Sequence, residues 1–303
     1  MRNAPVSEGT PVGVFVGLAT LDVIHRITEP PGPNEKITST AQFVAAGGPA
    51  ANAAVTFAAL GGRATLVTAL GDDPIAAMIR ADLTAHGVGI VDAAAGTRRA
   101  VPVSAVAVVE STGDRSVISA DAVTSEASPP ADLGALVAGA DVVLVDGHHP
   151  RIAGAAVREA AQRGTRVVVD AGRWKPVMAD ITAFATDVVC SSDFRTPGAD
   201  SPEATAAALV GGGVRTVVIT HGGDPVQWWS GGESGSVPVP VVEVVDTLGA
   251  GDAFHGAYSY YSCLDGRGVA DRIDRCARVA ALRCSVVGPR AWLSKLVGEQ
   301  IRK

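Results

Sequence analysis

Asp246-Thr247-Leu248-Gly249-Ala250-Gly251-Asp252-Ala253-Phe254 joins a turn, two glycines and a carboxylate to the first turn of a helix, and the rest of the chain reads as support for it. Upstream, Val237 to Val245 is β-branched and apolar and predicts a strand; downstream, Phe254, Tyr258, Tyr261 and Leu264 recur at helical spacing. The predicted order is strand, glycine turn, helix. Gly249 and Gly251 let the backbone turn sharply and approach a ligand, while the first free N–H groups of the helix form an anion site. Asp252 falls in that first turn, where the helix dipole favours its charge and an incoming phosphate opposes it. On these residues alone, a catalytic base beside an anion site and a carboxylate that merely complements the dipole are equal readings.

The chain has 303 residues, 47% hydrophobic and 18% charged, enough to bury a large core, and its composition shows no break after the first ten residues. One large α/β domain spanning 1–303 is the expectation. The net charge of −6 and the absence of any Lys/Arg run argue against nucleic-acid and membrane surfaces and for a small-molecule partner. Cys190, Cys263, Cys276 and Cys284 show no C-x-x-C spacing and suit a reducing cytoplasm. No secretory leader pattern and no apolar run of membrane-spanning length occurs in the sequence.

Outward from the opening stretch, strands alternate with helices. Pro11 to Val16 predicts a first buried strand, with Gly17 to Asp22 leaving its end; Gly47-Gly48-Pro49-Ala50-Ala51-Asn52 opens an Ala-rich helix to Leu60; Arg63 to Leu70 is a strand, and Pro74 starts the helix Ile75 to His86. Further strands run over 141–146, 166–170, 187–190 and 214–220, with helices at 133–138, 152–162, 202–210 and 269–287. Such alternation implies a mainly parallel sheet flanked by helices on both faces, with ligands at the strand C-terminal edge. Asp22, Gly71 to Asp73, Gly147 to His149, Thr220 to Gly223 and Gly249 to Asp252 all follow strands and face that edge. Residues 22–46 and 98–120 do not fit the main sheet and read as a separate strand excursion with a hairpin turn at Ser111-Thr112-Gly113-Asp114.

A glycine-rich helix start beside a carboxylate suits phosphoryl transfer: N–H groups hold the phosphate and the carboxylate takes the proton of the attacking hydroxyl. No G-x-x-x-x-G-K-[ST], protein-kinase set, G-x-S-x-G or G-x-G-x-x-G after the first strand is present. The stretch Asp246 to Phe254 resembles the C-terminal signature of the PfkB, or ribokinase-like, carbohydrate kinases, and Gly47-Gly48 with Asn52 and Gly71-Asp72-Asp73 resemble that family's N-terminal pattern. The resemblance implies a ribokinase-like fold with a small β-sheet lid formed by the segments near 22–46 and 98–120, dimerisation through that lid, and ATP-dependent phosphorylation of a sugar hydroxymethyl group. It further implies Asp252 as base, the backbone of Gly249, Ala250 and Gly251 as anion hole, and Asp22, Gly47, Gly48 and Asn52 as the sugar set. Thr220 and Gly222 resemble the nucleotide loop, Mg²⁺ is expected with ATP, and a potassium-like ion is the further cofactor expected near Asp246.

Two positions depart from the family pattern. Ser192-Asp193-Phe194-Arg195 stands where Asn-x-x-Glu is usual, leaving Asp193 as the substitute, and Pro225 replaces a second glycine after Gly222. The segments around Gly47 to Val55, Phe254 to Ala257 and Val279 to Cys284 look most like the sulfofructose-kinase and ketohexokinase branches; Lys36 resembles a lid lysine of the former, and His148 is a further expected substrate contact. Among single residues, Arg115 is expected to pair with Glu110, Asp170 with Arg173, and His255 to be exposed, while Asp72 and Asp73 are read as helix caps. A catalytically silent sugar- or nucleotide-binding protein of the same fold and a nucleoside kinase are the alternative functions.

Overall fold

The computed structural model describes residues 9–122, 125–264 and 268–300; the reading of the first ten residues falls, through residue 8, outside them. In chain order the elements are β1 (Val12–Val16), β2 (Thr20–Ile27), β3 (Ala41–Gly47), α1 (Pro49–Ala59), β4 (Arg63–Thr68), α2 (Pro74–Ala85), β5 (Val88–Asp92), β6 (Val103–Val109) and β7 (Arg115–Ser119). They continue as α3 (Leu133–Ala138), β8 (Val142–Val145), α4 (Pro150–Arg163), β9 (Arg166–Ala171), α5 (Met178–Thr182), β10 (Asp187–Ser191), α6 (Pro202–Gly211) and β11 (Thr216–His221). The chain closes with β12 (Asp224–Ser230), β13 (Glu233–Val237), α7 (Ala250–Ser262), α8 (Val269–Cys284) and α9 (Leu293–Gln300).

Two sheets result. The nine-stranded sheet has the order β13-β12-β11-β10-β9-β8-β1-β4-β5, parallel except for the antiparallel β11-β12-β13 end, and the four-stranded sheet has the order β3-β2-β6-β7. The central strands are short valine-rich runs buried on both faces, as in Val142–Val145, which is what a parallel sheet covered by helices requires. One face packs α1, α2, α7 and α8 around Phe15, Phe57, Leu66 and Tyr258; the other packs α3, α4, α5 and α6 around Val143, Ile152, Met178 and Leu209. Trp228 packs toward the first face and Trp229 toward the second, as alternation along β12 dictates. Caps follow the sequence: Asp73 accepts from the Ile75 N–H with Pro74 at the first helical position, and Ser201 accepts from the Ala204 N–H before α6. Among the described residues no helix is long and apolar enough to cross a membrane.

The carboxylate of Asp146, just past β8 and 1% exposed, joins three chain segments. It accepts from the N–H groups of Leu18 (3.0 Å), Ala50 (3.1 Å) and His148 (2.9 Å). Leu18 leads into β2 and Ala50 opens α1 directly after β3, so the first two of the connections between the sheets end on one side chain. Burial opposes the charge of Asp146, but His148 at 3.1 Å and Lys175 outweigh it and hold the carboxyl well below its ordinary range. Gly17 permits the close approach, since a Cβ there would lie 2.0 Å from Asp146 Oδ1.

Several expectations are corrected. Of the predicted strand over Val237 to Val245 only Val237 is in a strand, as the last residue of β13, because Pro238 and Pro240 carry no N–H for a ladder, and Val241 is fully exposed. β5, α5 and α9 are additional elements, and α8 ends at Cys284. Glu110 pairs with Arg26 (3.4 Å) and Thr40 (2.6 Å), while Arg115 reaches Thr247 Oγ1 at 3.5 Å. Arg173 pairs with Asp121, and Asp170 pairs with His255, which is buried at 5% exposure.

Candidate active site

Gly249 adopts φ 71°, the left-handed region that favours glycine, and starts α7. The Ala250 N–H is turned to Thr247 O at 3.3 Å, whereas among the described residues no acceptor faces the N–H groups of Gly251 and Asp252. These two donors, at a helix N-terminus, form a candidate anion site shifted by one residue from the expected Gly249–Gly251 backbone. Asp252 Oδ2 accepts from Asn52 Nδ2 at 2.8 Å, joining α7 to α1 across 200 residues of chain. Burial pushes the Asp252 carboxyl up to about 6, Asp170 adds to this, and Asn52, His255 and Arg115 pull the other way. His255 Nδ1 stands 2.9 Å from Asp170 Oδ2; burial would lower its pKa, but Asp170 and Asp252 raise it overall.

The adjoining cleft is lined by Asp22, Asn52, Thr56, Gly249, Arg283 and Arg290, among others. Asp22 on β2 accepts from Thr20 Oγ1 at 2.6 Å, and burial raises its pKa against the lowering effect of Thr20, Ser104 and Arg290. Gly47, opposite Thr20 in the β2-β3 ladder, leaves room for that carboxylate: a Cβ there would lie 2.0 Å from Asp22 Oδ2. Gly48, with φ 99°, is the residue before α1, where a Cβ would lie 2.3 Å from Leu18 O.

Sequence reasoning missed Arg290. Its guanidinium donates to Asn52 Oδ1 (3.1 Å), Ala46 O (2.7 Å) and Asp82 Oδ2 (2.9 Å), so Asn52 is held on one side and offered to Asp252 on the other. The only signal was the Gly288-Pro289 turn before it, which marks a chain reversal but not a buried cation.

Other expected residues lie elsewhere. Lys36 is exposed on the loop between β2 and β3 and does not line the cleft, since no ladder directs that loop inward. His148 is buried against Asp146 rather than in the cleft. Its neighbour His149 takes a left-handed φ of 50°, bonds Ser125 Oγ at 2.8 Å, and is pulled down to about 4 by burial. Asp73 caps α2 by accepting from the Ile75 N–H, as expected, whereas Asp72 accepts from the Gly96 N–H in the loop after β5 and caps no helix. Thr220 is the penultimate residue of β11, its hydroxyl on Cys190 O (3.3 Å), and Gly222, φ 64°, begins the two-residue turn to β12. Asp193 is exposed just after β10.

Two metal readings separate on donor chemistry. Asp170, Asp252 and His255 bring ligand atoms within 4.8 Å of one another, but His255 Nδ1 already stands against Asp170 Oδ2 at 2.9 Å, and an imidazole does not suit a hard cation. The expected monovalent-ion site at Asp246 does not fit a free ion either. Asp246 Oδ1 accepts from Leu248 N (3.0 Å), Oδ2 from Gly288 N (3.1 Å), and Arg283 Nη2 stands 3.1 Å from Oδ2.

Comparison with known proteins places this geometry. The chain is 27% identical over 257 residues to an ATP-dependent ribose-1-phosphate kinase of Halopiger xanaduensis, covering 80% of this chain and 81% of the relative. It is 24% identical over 292 residues to the ribokinase of Bacillus subtilis, covering 92% and 94%. Its fold matches the Arabidopsis thaliana ribokinase complexed with ribose and ATP (TM-score 0.74, 22% identity, 95% and 98% covered) and the ribokinase of Giardia lamblia (TM-score 0.80, 17% identity, 97% and 99% covered). The pfkB family carbohydrate kinase profile matches residues 13–296, nearly the whole described chain. The protein therefore belongs to the pfkB family of carbohydrate kinases and is an ATP-dependent carbohydrate kinase.

Proposed function

We propose that the chain transfers the γ-phosphate of ATP to a hydroxymethyl group of a small sugar held in the cleft, with Asp252 as general base. The carrying observation is the Asn52–Asp252 pair at 2.8 Å, which joins the N-terminus of α7 to a residue that lines the cleft. A base near pKa 6 is mostly ionised at neutral pH yet still accepts a proton, which is the compromise general-base catalysis needs. The N–H groups of Gly251 and Asp252, extended by the turn at Gly249 and Ala250, face the charge that develops on the transferring phosphoryl. Asp22 and Asn52 bind sugar hydroxyls, Gly47 and Gly48 let the chain come close, and the four-stranded sheet covers the sugar as a lid. ATP lies along the β11-β12 turn at Thr220 and Gly222. Mg²⁺ neutralises phosphate charge when bound; the exposed oxygen ligand Asp193 suits it, together with the phosphates and water.

The relatives act on ribose and ribose 1-phosphate by name, which ranks a pentose above a sulfonated hexose; Lys36 and His148 supply no anion clamp in the cleft, which favours the uncharged pentose of the two. The outer face of the small sheet aligns Val23, Val44, Ala105 and Ile118 across neighbouring strands, with Val44 48% and Ile118 79% exposed, and a second copy of the chain covers it. The lack of Glu in Ser192-Asp193-Phe194-Arg195 favours the silent binder as second reading.

The test is Asp252→Asn: turnover is lost while calorimetric ATP binding persists, and appreciable residual turnover refutes the base. ADP release over pentoses, ketoses, polyols, nucleosides and ribose 1-phosphate identifies the substrate. Saturable sugar binding with no turnover of any of them establishes the silent binder instead.

A further inference from the structure

Arg283 lies in the last turn of α8 and is 2% exposed, beside the loop that leads into α7. Its Nη1 donates to Val286 O (3.1 Å) and Asp246 O (3.4 Å), and its Nη2 stands 3.1 Å from Asp246 Oδ2. A carboxylate and two main-chain carbonyls thus surround one buried positive charge. The same Asp246 carboxylate accepts from Leu248 N and Gly288 N, and the N–H groups of Val245 (2.9 Å) and Asp246 (3.2 Å) both donate to Cys284 O. Two loops, 245–249 and 284–288, are therefore stitched together around the guanidinium. Gly249 and Arg283 both line the cleft.

An all-oxygen cage of this kind is what a weakly hydrated monovalent cation seeks, and here the side chain fills it. A free ion would have to displace the guanidinium from its three oxygens or sit beside it as a second positive charge in a buried site, and both are unfavourable. We propose that Arg283 is a built-in cation: it sets the Asp246–Gly249 turn, and with it the free N–H groups of α7, so that this kinase works without K⁺ or any other monovalent ion. Arg283 is a positioning residue that acts through Asp246, and the activity arm of the argument rests on the anion-binding reading of α7.

The test compares purified enzyme in tetramethylammonium buffer with the same enzyme at equal ionic strength in K⁺, Na⁺ or Rb⁺. Wild-type kcat and KM for ATP are expected to be equal in all four, and thermal melts to show no ion-specific shift. Arg283→Met, which keeps the side-chain length and removes the charge, is expected to lower kcat/KM for ATP on the order of a hundredfold, the scale of a small misplacement of a binding group. Added K⁺ or free guanidinium should restore part of that loss and raise the melting temperature of the variant. Arg283→Lys serves where Arg283→Met does not fold, and is expected to stay indifferent to added ions. Severalfold stimulation of the wild type by K⁺, or a K⁺-specific rise in its melting temperature, overturns the proposal, as does an Arg283→Met enzyme of full, ion-independent activity. If no sugar is turned over under any condition, the kinase reading has failed, and the melts of wild type and variant still decide the cation question.

Discussion

Asp252→Asn is expected to make the folded protein more stable while it removes turnover. The carboxyl stands at about 6 in the fold against an ordinary value of 3.8, raised first by burial and then by Asp170. Because the folded-state value is the higher one, the unfolded chain releases this proton first as pH rises, and stability falls through the window from about 4 to 6. Above it, the ionised group costs at most about 3 kcal/mol, from two units at 1.36 kcal/mol each. Asparagine keeps a carbonyl oxygen for the Asn52 N–H and carries no charge beside Asp170, so most of that cost disappears. At about 2 °C for each kcal/mol in large domains, the melting temperature of the variant should exceed wild type by about 5 °C at pH 7.5. The assay is calorimetry of both proteins from pH 4 to pH 8. Near pH 4, where the wild-type carboxyl is protonated in the fold and only partly ionised in the unfolded chain, the two should have largely converged. A variant that melts below wild type at pH 7.5, or a difference that does not change with pH, refutes the raised carboxyl.

Three further outcomes are expected. Asn52→Ala removes the hydrogen bond that favours ionised Asp252; such bonds are worth roughly 1.5–3 kcal/mol. The acid limb of kcat/KM should move up from about 6 by one unit or more, and an unmoved limb shows that Asn52 acts on the sugar alone. Arg290→Gln frees Asn52 from Ala46 and Asp82 and should raise the sugar KM more than it changes ATP affinity, with equal effects on both counting against the relay. Ile118→Lys places a charge on the outer face of the small sheet and should shift the chain from dimer to monomer in light scattering; wild type that is already monomeric removes that face as an interface.

Much of this was legible from residue order alone, because the parallel core is built from short valine runs that end in glycine or carboxylate. The Gly249–Asp252 helix start and the Ala-rich helix after Gly48 fall where periodicity and capping put them. β5 was not legible, since Gly87 alone turns the chain out of α2, with no longer break to mark the change of period. Pro238 and Pro240 were outvoted by the valines around them, yet a missing N–H decides ladder formation where hydrophobicity cannot. The cleft shows a different limit. Asp252 and Asn52 were each readable, but their bond spans 200 residues and only the fold reveals it. Arg283 and Arg290 resemble solvated charges in the sequence; their burial comes from α8 and the following turn folding back onto Asp246 and Asn52. His255 was misjudged for the same reason, since the helix face that meets β9 carries Asp170 as its partner.

The three N–H groups gathered by Asp146 have a mechanical consequence. Leu18 and Ala50 bracket the chain's excursion through β2 and β3, and a single buried carboxylate rivets both ends of it to β8. Any swing of the small sheet about those first two connections then has one pivot, so Asp22 and Gly47 travel as a pair and not independently. Sugar contacts made by that flap would be gained or released in one stroke, with the hinge pin itself staying in the rigid floor of the molecule.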